Sequence, residues 1–87
     1  MQIKFSKIFL KQLAKSPGFI KSAFEEKLRH FLFNKSDPIL NNHKLKGKYQ
    51  GYRSINITGD WRAIFEECPN GDVLFLLFGT HNQLYKK

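Results

Sequence analysis

The chain is short of the residues that build metal clusters, disulfides and membrane spans. Its single cysteine, Cys68, can make no internal disulfide and leaves no cysteine-based metal cluster. It reads as an incidental thiol in a turn. Three histidines without paired spacing do not make up the deficit, so neither a zinc site nor any other metal or cofactor is expected. No glycine-rich loop precedes a helical pattern, which removes the usual nucleotide cradle. No Ser/His/Asp arrangement points to a serine nucleophile. No apolar run approaches the roughly 18 residues of a membrane helix, and Met-Gln-Ile-Lys-Phe is unlike the start of a secretion signal. The expectation is a soluble cytoplasmic protein with no membrane association. Internal repeats and low-complexity segments are also missing. Acidic residues are scarce as well, with seven Asp/Glu against fifteen Lys/Arg, a net charge of +8.

That imbalance is unevenly spread. Residues 1–50 carry eleven Lys/Arg and three Asp/Glu, whereas residues 51–87 carry four of each. A solubility device would scatter its charge, so the clustering points to a polyanionic partner such as nucleic acid. The 87 residues, 41% hydrophobic with nine Phe, suffice for one core, and residues 1–87 read as a single domain.

Met1–Phe5 alternates like a short strand. Ser6 is placed to cap a helix over about Lys7–Lys15, with Phe5 and Leu10 as a hydrophobic staple. Ser16-Pro17 restarts the chain as cap and first residue of a second helix over about Pro17–Asn34. Its apolar stripe is Ile20, Ala23, Phe24, Leu28, Phe31 and Leu32. After Ser36-Asp37-Pro38 comes a polar stretch in which Lys44, Lys46 and Lys48 alternate; if extended, they share one face. Tyr52–Ile57 and Asp60–Glu67 alternate as strands around a Thr58-Gly59 turn, and Pro69-Asn70-Gly71 is a second hairpin turn. Val73–Gly79 is apolar throughout and reads as the central strand, covered on both faces. A polar tail, Thr80–Lys87, carries His81 and Tyr85. The order is β-α-α-β-β-β: an α+β domain, an antiparallel sheet with two N-terminal helices packed on one face.

The chemistry-bearing residues sit at strand ends. Asp60, Trp61 and Arg62 open one strand, and His81 follows the next, at the same edge of their hairpin, so Asp60, Arg62 and His81 can approach one another. Such a set suits metal-independent cleavage of an RNA phosphodiester. That reaction needs a base for the 2′-OH, a cation for the phosphorane and an acid for the departing 5′-oxygen. Histidine serves as acid or base near neutrality, arginine binds phosphate bidentately, and Trp61 or Tyr85 could stack on a base. Each feature has a plainer reading: a strand-end histidine is more often structural, Trp61 is more often core, and a lysine run is usually a solvated face. His30, on the second helix, reads as surface.

Taken in order, His43-Lys44-Leu45-Lys46-Gly47, Gly51-Tyr52-Arg53, Asp60-Trp61-Arg62 and Gly79-Thr80-His81 with Leu84-Tyr85 resemble the RelE/ParE superfamily of bacterial type II toxins, nearest its YafQ-like branch. The resemblance covers nearly the whole chain. It implies the RelE-like fold and a ribosome-dependent mRNA interferase acting on mRNA in the A site. It also implies an acidic, partly disordered antitoxin encoded alongside, through which the complex binds operator DNA. In YafQ-like toxins the acid/base histidine falls on His81, the aspartate before the tryptophan on Asp60, a further histidine on His43 and the late aromatic on Tyr85. In RelE-like relatives the phosphate-binding cations fall on Arg53 and Arg62. The expected catalytic set is therefore His81, Asp60, His43, Arg62 and Arg53. RNA contacts are expected from Lys44, Lys46, Lys48, Trp61, Tyr85 and Asn56.

The chain departs from the YafQ-like pattern at Ser54 and Asn56, where that branch has an acidic residue and a second histidine. Asn56 can orient a phosphate or a base but cannot exchange a proton at neutral pH. Two other readings follow from the same motifs: a ParE-like gyrase inhibitor, and a degenerate relative that only binds its antitoxin. Gly79-Thr80-His81 speaks against the first, since a gyrase binder has no need of it.

Overall fold

A computed structural model gives the protein's structure and describes residues 1–85; Lys86 and Lys87, the end of the expected polar tail, lie outside the described residues. Strand β1 (Ile3–Phe5) leads into helices α1 (Lys7–Lys15) and α2 (Gly18–Phe33). A connection containing two 3-10 turns and the short strand β2 (His43–Lys44) follows. The chain then forms β3 (Arg53–Asn56), β4 (Trp61–Glu67), β5 (Val73–Thr80) and a last short helix, α3 (His81–Tyr85).

The sheet order is β1-β5-β4-β3-β2. β2 to β5 form an antiparallel meander, but β1 pairs with β5 in parallel, Ile3 opposite Val73 and Phe5 opposite Phe75. The sheet is therefore mixed rather than wholly antiparallel. Strand direction at β1 is set by a partner some seventy residues away, which no local pattern encodes. By position β4 is central, while β5 lies between β1 and β4.

Helix α1 starts where Ser6 Oγ accepts the Phe9 N–H at 2.9 Å, and the same hydroxyl donates to the Leu76 carbonyl at 2.8 Å, so the cap also ties the helix to β5. The expected staple does not form: Leu10 is exposed, and Phe5 packs on Phe9, Phe24 and Phe75 instead. Ser16 closes α1 rather than opening α2, because its hydroxyl donates to the Leu13 carbonyl at 2.6 Å and Pro17 takes the cap position. Leu32, expected in the stripe, faces solvent.

The main core lies between the helices and one face of the sheet. Phe9, Phe24, Phe31, Phe65, Phe75 and Phe78 fill it with edge-on and tilted ring contacts. A break in the β4–β5 register between Ile64 and Phe65 re-phases β5 there. Both Phe75 and Phe78 consequently reach the main core although they stand three positions apart, an offset that in a regular strand points to opposite faces. Leu77 turns to the other face, where Leu45, Tyr49, Ile64 and Leu84 make a second, smaller core. The unbroken apolar run Val73–Phe78 thus serves two cores through a bulge.

Candidate active site

Antiparallel register fixes which side chains share the sheet face away from α1 and α2. Asn56 pairs with Arg62 and Arg62 with Gly79; two residues along, and so on the same face, His43 pairs with Ser54, Ser54 with Ile64 and Ile64 with Leu77. Cross-strand partners point the same way, and Ile64 and Leu77 belong to the second core. Asn56 and Arg62 therefore lie on that face, beside the cover formed by Tyr49 and α3.

Helix α3 places the aromatic and imidazole groups. The His81 N–H donates to the Asp60 carbonyl at 2.9 Å, which fastens the start of α3 to the β3–β4 turn. One helical turn brings Tyr85 under His81, ring centroids 4.6 Å apart, and Tyr49 meets Tyr85 edge-on at 5.4 Å. The Tyr49 hydroxyl donates to the Leu84 carbonyl and holds the helix down. Gly79 is where α3 folds back over the sheet. A Cβ there would stand 2.9 Å from Gln83 Oε1, the atom that accepts the Thr80 N–H. A side chain at position 79 would therefore displace the Gln83 amide from the Thr80 N–H.

Burial is the main cause of a raised Tyr85 pKa, the neighbouring Tyr49 adds to it, and the positive charge of Arg62 works in the opposite direction. Tyr85 is consequently a protonated phenol at neutral pH, a hydrogen-bond donor and stacking surface rather than a base. The Arg62 guanidinium lies over the β3–β4 turn, where Nη1 donates to the carbonyls of Thr58, Gly59 and Trp61 at 3.1–3.2 Å. Only Nη1 makes these bonds, and they fix the plane in which the Nε and Nη2 donors lie. Asn56 contributes a buried Oδ1 with no hydrogen-bond partner among the described residues, and Ser54 Oγ, fully buried, is in the same condition. Buried polar atoms without a partner are uncommon in folded proteins.

His81, Arg62, Asn56 and Tyr85 are therefore brought to one end of one face, and Asp60 stands beside them through its main-chain carbonyl, its carboxylate exposed. His43 shares the face but sits on the edge strand, two strands from Arg62, about 10 Å laterally at ordinary strand spacing. Its Nδ1 lies 2.7 Å from the Asn41 carbonyl, an acceptor only, so Nδ1 carries the proton in the neutral ring and Nε2 is left as the basic nitrogen.

Other expected residues stand elsewhere. Trp61 faces the helices and packs on Phe78, 5.6 Å between ring centroids. Arg53 lies at the other end of β3 on the opposite face from Asn56, paired with Lys44 and Phe65. Lys44 and Lys46 line a groove with it, whereas Lys48 sits in a 3-10 turn, its ammonium 5.2 Å from the Tyr49 ring centroid. Positive φ at Gly47 turns the chain between Lys46 and Lys48, so the three lysines do not form one stripe. His30 is bound to Asp37 at 3.3 Å on α2, remote from the site motifs. Tyr49 and Ser54 were not among the expected site residues; only the sheet register and the 3-10 turn reveal their place. Among the described residues no three His, Cys, Asp or Glu side chains gather closely enough to share a metal ion, and no helix is long and apolar enough to cross a membrane.

No protein-family profile and no curated protein matches the chain. Solved structures do. A mutant of YafQ from E. coli is 21% identical and superposes with a TM-score of 0.73 over 97% of each chain. A chain of the RelB–RelE antitoxin–toxin complex from Methanococcus jannaschii is 25% identical, TM-score 0.74 over 95% of each. A chain of the E. coli DinJ–YafQ complex is 23% identical, TM-score 0.70 over 97% of each. The expected likeness to the RelE/ParE toxins, with YafQ among them, is borne out in the fold.

Proposed function

We propose that this chain is the toxin of a type II toxin–antitoxin system and that it cleaves mRNA on the ribosome. The observation that carries the proposal is the convergence of His81, Arg62, Asn56 and Tyr85 on one end of the open sheet face, with Asp60 next to His81 through its main chain. Attack of the 2′-oxygen on the adjacent phosphorus makes the new P–O bond and breaks the bond to the 5′-oxygen. The products are a 2′,3′-cyclic phosphate and a 5′-hydroxyl. His81 gives its proton to the departing 5′-oxygen, and Arg62 neutralises the charge that builds on the phosphorane. Asp60 takes the 2′-OH proton from beside His81, or His43 does so through Nε2. Tyr85 supplies a protonated phenol and a ring against which a base can stack. Asn56 orients a phosphate or a base without exchanging a proton. No metal takes part in this scheme.

The set holds one fewer proton-transfer group than a site with histidine at position 56. Such a site gains most when its substrate arrives already shaped, which is the physical case for dependence on the ribosome. Two neighbours are toxins described with partners, RelB with RelE and DinJ with YafQ, which supports an antitoxin here. The outer faces of α1 and α2 agree with it, for Ile8, Leu10, Phe19, Leu32 and Phe33 are exposed, Phe33 by 93%. An acidic segment that folds on binding would cover apolar and basic surface together. Operator binding would then pass through the antitoxin.

The test is cleavage of a reporter mRNA in a translating extract, with end-group analysis of the fragments. Fragments ending in 2′,3′-cyclic phosphate are expected from the wild type and absent with His81→Ala. Protein treated with a chelator, then freed of it and added to isolated ribosome–mRNA complexes kept in magnesium, should cut as well as untreated protein; loss of cutting after that treatment, restored by a transition metal, would overturn the scheme.

A further inference from the structure

A second charged feature lies away from the acid/base cluster. At the end of β3 where Arg53 stands, a groove of about 810 Å³ is lined by Lys44, Lys46, Gln50, Tyr52, Arg53 and Glu67, among others. Its volume falls within the range of small-ligand sites. Arg53 and Asn56 are three residues apart on one strand, hence on opposite faces and about 10 Å apart along it. A phosphate held at Arg53 is therefore not the phosphate held at Arg62.

The groove is electrostatically incomplete. Lys44 stands directly opposite Arg53 across β2 and β3, a like-charge pairing that costs stability. Lys46 adds a third cation to the wall. The one carboxylate of the groove, Glu67, is already bound by Lys35 at 2.8 Å, and its pKa is lowered by that hydrogen bond first, against an opposing effect of burial, and by the charges of Lys35, Arg53 and Lys44. Arg53 is held in place by donation from Nε to Asn42 Oδ1 at 2.8 Å. A fixed guanidinium beside two lysines selects an anion, and phosphate geometry suits it. The remaining wall is Tyr52, whose ring can stack on a base, and Gln50, whose amide offers both donor and acceptor.

We propose that this groove is a second RNA-binding site, which takes a phosphate-and-base unit of single-stranded RNA outside the scissile position and anchors it without cutting it. The substrate class rests on the ribonuclease reading above, but the role of Arg53 differs from that of a catalytic residue.

The experiment is binding of a short fluorescent 2′-O-methyl RNA, which cannot be cleaved, followed by anisotropy at several salt concentrations in a His81→Ala background. Adding Lys44→Ala with Arg53→Ala should weaken binding about tenfold and reduce the slope of log K against log salt by about 0.7, the value for the one phosphate these two cations hold. Tyr52→Leu should weaken binding about fivefold or more with the salt slope unchanged, the signature of lost stacking. Circular dichroism checks that each variant is folded; Lys46→Ala, an exposed change, gives the same direction if Arg53→Ala proves unstable. Unchanged affinity in the folded variants would overturn the proposal. So would competition by polyglutamate as effective as by RNA of equal charge, which would assign the groove to an acidic protein partner. Groove-dependent binding together with no cuts by the wild type in translated mRNA would sink the ribonuclease reading alone, and such cuts with groove-independent binding would sink only the anchoring site.

Discussion

Arg62 is the residue on which the chemistry and the electrostatics meet. Its charge restrains the Tyr85 pKa that burial and Tyr49 raise. Arg62→Ala should therefore move the Tyr85 titration further up, read by ultraviolet difference absorbance in alkaline solution. The same change should slow cleavage by about a hundredfold or more, the usual loss when a transition-state cation or donor goes. A fall in cleavage without movement of the phenol titration would mean that Arg62 acts away from Tyr85. At this scale the sequence is a good guide to identity and a poor one to direction. The alternation of Trp61 and Arg62 already sends them to opposite faces, yet which face is open depends on where α1 and α2 lie. Arg53 and Arg62 look equivalent as strand-borne cations, but three residues of register separate Arg53 from Asn56, the partner of Arg62, and put the two arginines on opposite faces. Asn56 and Ser54 are legible as substitutions, but the orphaned state of their buried oxygens is not, because it depends on the cover supplied by a second core.

Elements are joined here by a few polar ties across long sequence separations. Ser6 Oγ both caps α1 and reaches the Leu76 carbonyl. Ser6→Ala should cost about 1–2 kcal/mol in urea denaturation, one cap together with one tertiary hydrogen bond. A loss confined to a few tenths would show that solvent replaces both. Lys35, just beyond α2, reaches Glu67 at the end of β4. Because the folded state holds Glu67 below its ordinary pKa of 4.5, the associated stability is present above that range and lost as pH falls through the lower folded value. Lys35→Ala should raise the midpoint of acid unfolding and cost less than about 1 kcal/mol at pH 7, as expected for a well-exposed pair. Equal acid midpoints for the two proteins would contradict this. The helices and the three-strand meander are legible because their periodicity is local. Parallel β1, the bulge in β5 and the short α3 are not. Strand direction and bulges are decided by partners far along the chain, and five residues carry too little pattern to separate a helix from a polar tail.

Over the whole molecule, charge and exposed apolar surface are divided among the faces. One end of the open sheet face carries His81, Arg62 and Tyr85, the far end of β3 carries the cationic groove, and the helical side exposes Phe19, Leu32 and Phe33. Three faces with different chemistry suit a molecule that is proposed to cut one RNA segment, hold another and be covered by an acidic partner. The net charge of +8 fits this division, since the excess lies in residues 1–50. The central claim is cleavage of translated mRNA that depends on His81. It is tested most directly by primer extension on a reporter mRNA after brief induction of wild type or His81→Ala. Cuts phased with the reading frame, present in the wild type and absent in the variant, are the predicted result. Growth arrest by the wild type without such cuts, or cuts that persist in the variant, would contradict it.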